Sequence, residues 1–181
     1  MQEMHELDGG PPMHEMHELD DAPPARAIDA LAPLFEGAPD FLGRLVEARP
    51  FQSWDRLFER AREIAQAMPE TAQVELLNAH PRLGAAPATV SALSFREQGY
   101  DRAPAAVVPE ADDDPLAGLN AAYETRFGFR YCVFVAGRPL DELVPELEAA
   151  LDADRAEELR RGLDAVVDIA AARHRTLSAG G

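Results

Sequence analysis

The sequence predicts an all-α protein, a single-domain bundle of about seven to eight helices behind a disordered N-terminal tail. Three observations predict it. From Ala25 onward, apolar residues recur three and four positions apart over most of the chain. Only one run, Phe129-Arg130-Tyr131-Cys132-Val133-Phe134-Val135, is aromatic and β-branched, and a solitary strand has no sheet to join. That run reads as a buried extended segment or the start of a helix. Finally, 181 residues with 46% hydrophobic content suffice for one well-buried core.

Taken in order, Ala27, Ile28, Leu31, Leu34 and Phe35 form one apolar face. Phe41, Leu42, Leu45 and Val46 form a second, with Asp40 before them as a candidate cap. Ser53 caps a longer helix carrying Trp54, Leu57, Phe58, Ala61, Ile64 and Met68, and Pro69 ends it. Thr71 begins the next, which runs to Ala79. Residues 101–114, rich in proline, alanine and acid, read as a surface crossing. Helical spacing returns at Leu116, Leu119, Ala122, Tyr123 and Phe127, and Gly128 stops it. Leu140 to Leu151 and Ala153 to about Leu177 supply the last two helices.

The first 24 residues stand apart as a tandem repeat, MQEMHELDGGPP followed by MHEMHELDDAPP. Two polar, acidic copies closed by Pro-Pro cannot build a solenoid, so residues 1–24 are expected to be disordered and 25–178 to form the domain. His5, His14 and His17 lie among glutamates, yet no His-Glu-x-x-His pattern is present, and a solvated leader is the simpler reading.

Composition removes whole classes of function. A net charge of −16 repels nucleic acid and anionic membranes, so neither is an expected partner. The chain has no lysine, which excludes Schiff-base chemistry through a lysine amine. Cys132 is alone and makes no intrachain disulfide. Nothing resembles a signal peptide or an apolar run of about 18 residues, and the expected compartment is the cytoplasm.

The chemistry concentrates at Asn78-Ala79-His80-Pro81-Arg82-Leu83-Gly84 and at Ser94-Phe95-Arg96-Glu97-Gln98, which begins fourteen residues after the histidine. Pro81 biases His80 away from the α region, so the preceding helix should end there and present the imidazole from its terminus. A histidine so held can titrate near neutrality and move protons. Plainer readings stand beside this one. Ser94 and Glu97 have the spacing of a capping box, which would hold Glu97 and Gln98 at a helix N-terminus. Arg173 and His174 read as surface residues, Cys132 as a buried hydrophobe, and Phe127, Phe129, Tyr131 and Phe134 as core.

Four motifs occur in order: His80-Pro81; Ser94-x-x-Glu97-Gln98; Leu119-Asn120-x-x-Tyr123-x-x-Arg126-Phe127-Gly128-Phe129; and Ile169-Ala170-x-x-Arg173. In order and approximate spacing, the chain from about Ala25 to Leu177 resembles the OHCU decarboxylases, which act on 2-oxo-4-hydroxy-4-carboxy-5-ureidoimidazoline. The resemblance implies an all-α, cofactor-independent, dimeric enzyme that binds a small ureide and yields (S)-allantoin and CO2. It implies catalytic roles for His80, as proton donor, and Glu97. It implies substrate contacts from Pro81, Ser94, Phe95, Arg96, Gln98, Arg173 and the run Tyr131, Cys132, Val133, Phe134 and Val135, with no metal. Arg82 and Arg130 depart from the family pattern, and two readings stay open for them: capture of an anion, or surface replacement without consequence. Two other functions also stay open, a lyase acting on a related ureide or hydroxy-carboxy heterocycle, and a non-catalytic helical binding module.

Overall fold

The computed structural model describes residues 15–86, 89–99 and 115–179. Among them are nine helices: α1 (Met16–Asp21), α2 (Pro24–Leu31), α3 (Pro39–Glu47), α4 (Trp54–Ala67), α5 (Glu70–Ala79), α6 (Ala92–Glu97), α7 (Pro115–Phe127), α8 (Leu140–Ala150) and α9 (Arg155–Ala179). The described residues form no strand. The all-α expectation holds, with α1 and the one-and-a-half-turn α6 as helices that periodicity could not resolve. The expected crossing at 101–114 lies outside the described residues.

Amphipathic spacing places the core as expected. The long α9 packs along α4 and α5, and α3 packs on α2, α4 and α5. Leu31, Phe41, Leu45, Leu57, Leu76, Leu163 and Val166 are fully buried between them. Burying such side chains contributes roughly 1.5–3 kcal/mol each, which offsets the ordering entropy of the helices. Gly162 decides how closely α5 meets α9, because a Cβ there would stand 3.1 Å from Leu77 Cδ2. The helix that carries His80 is thereby set directly against the helix that carries Arg173.

Two local expectations change. The tail boundary at residue 24 moves toward the N-terminus, since the second repeat folds from Met16 as α1, with Met16 and Leu19 buried. Sequence composition hid this because α1 is held by tertiary polar contacts. The Asp20 carboxylate accepts from the backbone N–H groups of Phe51 and Gln52 at 2.8 and 2.9 Å, and Arg49 donates to the carbonyls of Leu19 and Ala22. Asp40 is not a cap: α3 starts one residue earlier at Pro39, whose fixed φ suits the first turn, and Asp40 lies inside it. Ser53 does cap α4, its side chain accepting from Arg56 N–H at 3.2 Å.

Candidate active site

Helix α5 ends where Pro81 requires, and His80 takes an extended conformation at φ −78°, ψ 145°. Arg130 fixes that end. Its backbone N–H donates to Asn78 Oδ1 at 2.9 Å, and its guanidinium donates to the carbonyls of Asn78 and His80 at 2.8 Å. Those carbonyls are among the acceptors a helix terminus leaves unpaired. Arg130 is therefore neither an anion trap nor an idle surface residue. Arg82 closes a bidentate pair with Glu124 at 2.6 Å, so its charge is also already used.

The imidazole is almost wholly buried, and Nδ1 lies 3.1 Å from the Leu76 carbonyl. A carbonyl can only accept, so Nδ1 carries the proton and Nε2 carries the lone pair. Nε2 is buried and has no hydrogen-bond partner. Burial and the nearby Arg173 charge hold the His80 pKa down at about 4, against weaker opposition from the Leu76 bond and Glu36. The group rests as a neutral base.

Helix α6 is capped by Ser91, whose Oγ accepts from Ser94 N–H. The capping-box register is thus three residues earlier than Ser94 predicts, and Glu97 and Gln98 stand at the C-terminal end of α6. Tertiary demand explains the difference, because the Ser94 hydroxyl is already engaged. It donates to Glu36 Oε1 at 2.6 Å and accepts from Arg173 Nη2 at 3.0 Å.

Arg173 is the hub. Its Nε and Nη2 donate to the two Glu97 oxygens at 2.6 and 2.8 Å, Nη2 also reaches Glu36 at 2.7 Å, and Nη1 donates to the carbonyls of Pro33 and Leu34. A guanidinium has five N–H donors, and these contacts use them all. Arg173 therefore closes its fork on protein carboxylates and is buried, where its residue-level reading placed it on the surface. The Glu97 carboxylate faces Arg173. Gln98 ties α6 to the loop after His80, accepting from Gly84 N–H at 2.8 Å and donating to the Arg82 carbonyl.

These parts wall a cavity of about 590 Å³ bounded by His80-Pro81, α6, residues 131–137 and α9. Of the residues the resemblance implied, Pro81, Ser94, Arg96, Glu97, Gln98, Arg173 and all five from Tyr131 to Val135 line it. Phe95 does not, because it lies on another side of the short helix. Residues 129–135 form neither a strand nor the start of a helix. Phe127 and Phe129 are core as expected, while Tyr131 and Phe134 reach the cavity wall. Burial pushes the Cys132 thiol up to about 12, as an inert hydrophobe requires. His174 is not simply a surface residue, since its ring stacks on Trp54 with centroids 3.9 Å apart.

Two contributors, Glu36 and Arg161, escaped sequence reasoning, and a third, Asn120, stood in a motif without an assigned role. Glu36 lies 58 positions before Ser94, at φ +53°, a left-handed conformation costing a non-glycine residue roughly 1–2 kcal/mol. The only local hint was the Glu36-Gly37 turn. Arg161 donates to the Cys132 carbonyl at 2.8 Å while paired with buried Glu158, which also accepts from the Tyr123 hydroxyl. Asn120 donates to the Leu83 carbonyl from α7. Nothing periodic signals such long-range pairs.

An all-α scaffold that sets a neutral imidazole and a fixed carboxylate on the wall of a largely apolar cavity has the parts of an acid–base enzyme for a small molecule. The sequence model of the OHCU decarboxylase family matches residues 20–175, and the chain belongs to that family. The 2-oxo-4-hydroxy-4-carboxy-5-ureidoimidazoline decarboxylase of Halalkalicoccus jeotgali is 30% identical over 151 residues, 82% of either chain. The corresponding Haloferax volcanii protein is 29% identical over 143 residues, 79% of this chain and 83% of its own. A uric acid degradation bifunctional protein of Bacillus subtilis is 30% identical over 142 residues, 78% of this chain but 28% of its own length. The fold is similar to a crystal structure of OHCU decarboxylase in the presence of (S)-allantoin, with TM-score 0.62, 20% identity, and coverage of 82% of this chain and 96% of that one.

Proposed function

We propose that this protein decarboxylates 2-oxo-4-hydroxy-4-carboxy-5-ureidoimidazoline to (S)-allantoin and CO2 without a cofactor, in urate degradation, as a cytoplasmic homodimer. One observation carries the chemistry: the buried, unpartnered Nε2 of His80 on the cavity wall. Among the described residues no helix is long and apolar enough to cross a membrane.

The substrate supplies its own electron sink. When the bond to the carboxylate carbon breaks, its electron pair forms a double bond to the neighbouring ring carbon, and the adjacent imine nitrogen takes up a proton from water. CO2 leaves. The resulting enol must lose its hydroxyl proton and gain one at that neighbouring carbon to become allantoin. His80 serves both transfers. Neutral Nε2 accepts the hydroxyl proton, and the imidazolium so formed protonates the carbon on the face it covers, which makes the product a single enantiomer. The proton donor that the resemblance implies is the second state of a group that rests as a base.

Positioned acid–base catalysis is worth roughly 10²–10⁴ in rate, so binding geometry carries the remainder. Glu97, fixed by Arg173, is an acceptor for ureido N–H groups. Ser94, Gln98 and Arg173 act by holding α6 and the His80 loop in register, and residues 131–135 shape the opposite wall. The test uses substrate generated in situ from urate, which otherwise decays to racemic allantoin. Circular dichroism should record fast formation of the (S) enantiomer with the wild-type protein and its loss with His80→Ala. Racemic product at the buffer rate from the wild-type protein refutes the reading.

A further inference from the structure

The site just described lacks an obvious partner for the substrate's carboxylate. Arg173 is saturated, and with Glu36 and Glu97 it forms a buried group of one positive and two negative charges. An incoming anion meets net repulsion there. Arg82 and Arg130 are committed elsewhere. Two further arginines line the same cavity, Arg96 on α6 and Arg175 on α9. Both are exposed, and neither has an ion-pair partner among the described residues; Arg175 makes one contact, from Nε to the Ala171 carbonyl at 3.3 Å.

We propose that Arg175, together with Arg96, is the carboxylate-capturing pair, so that the substrate enters with its carboxylate toward the mouth and its ureido group toward Glu97. This rests on the decarboxylase reading and fixes the orientation within it. The charges facing the cavity are Arg96, Arg173 and Arg175 against Glu97, and adding Glu36 behind them still leaves an excess of one positive charge in a chain of net charge −16. The mouth is therefore a local attractor for a small anion in a protein whose long-range field repels one. The chemistry favours this place as well. The carboxylate loses its charge as CO2 forms, so a buried, desolvated clamp would stabilise the ground state more than the transition state. Exposed guanidinium groups recruit the anion with a weak, screened attraction and let CO2 depart toward solvent.

The experiment compares wild type, Arg175→Gln and the Arg96→Gln/Arg175→Gln double variant for kcat and KM at low and high ionic strength, with inhibition by neutral (S)-allantoin in parallel. Expected is a KM raised roughly two- to fivefold by the single change at low salt, more in the double variant, with a flatter salt dependence of kcat/KM and unaltered inhibition by allantoin. An unchanged KM and salt slope in the double variant overturns the proposal, as does a loss confined to kcat or an equal weakening of allantoin. Activity of the wild-type protein in the same assay keeps this outcome separate from failure of the decarboxylase reading.

Discussion

Replacing Glu36 by Gln isolates the charge of a residue that sequence reasoning did not find. All three contacts converge on Oε1, from Arg173 Nη2 at 2.7 Å, Ser94 Oγ at 2.6 Å and Ser91 Oγ at 3.1 Å, so a Gln carbonyl can keep the same geometry. What changes is that the Ser94 bond becomes neutral and the Arg173 bond keeps only its cationic donor and loses the ion-pair attraction, a loss of about 1–1.5 kcal/mol for each of the two shorter contacts. Glu97 still covers Arg173, so no buried charge is stranded and the larger penalty of roughly 3–5 kcal/mol does not apply. The expected destabilisation at neutral pH is about 2–3 kcal/mol, or roughly 5–10 °C in Tm for a chain of this size. The pH dependence is the sharper readout. Burial raises the Glu36 pKa, but the Arg173 charge and the Ser94 hydrogen bond more than offset it, leaving the carboxyl below its ordinary 4.5. Its contribution is thus fully present above that ordinary value and is lost as pH falls through the lower folded value. Thermal unfolding of both proteins from neutral to acid pH should give curves that converge below about pH 4.5. A Tm shift under about 2 °C at pH 7, or a gap that does not narrow in acid, refutes the reasoning.

The low His80 pKa makes a second prediction. In the free enzyme the base form persists above about pH 4, so kcat/KM should show no histidine limb between pH 7 and 5, and a limb near the usual 6.5 would contradict the buried neutral tautomer. Arg130→Gln removes the guanidinium bonds that hold the end of α5. Because this site is partly exposed, Tm should fall by no more than about 4 °C while kcat falls roughly tenfold through misplacement of His80; loss of stability without loss of rate would show the contact to be structural only.

Much of the site was legible because its signals are local. Pro81 dictates the backbone of its neighbour, so the end of α5 and the presentation of His80 followed from two adjacent residues. The SFREQ motif and the 131–135 run were found as pieces, and they do line one cavity. Errors arose where a local signal competed with a distant partner. Ser94 has the chemistry of a cap, yet its hydroxyl is taken by Glu36 and Arg173, and Ser91 caps the helix instead. The repeat reads as a solvated tail, yet Asp20 and Arg49 dock its second copy.

The sequence by itself determined the all-α class, the core faces and the residue types able to move protons, because each depends on spacing along the chain or on adjacent residues. Tertiary structure alone decided which state those residues occupy. Whether His80 is base or acid depends on the Leu76 carbonyl, on burial and on the Arg173 charge 93 positions further along the chain. Whether Arg173 is free or saturated depends on Glu36 and Glu97, contributed by segments far apart in sequence. Electrostatic energy and hydrogen-bond satisfaction are functions of distance in space, and a linear sequence does not carry that distance.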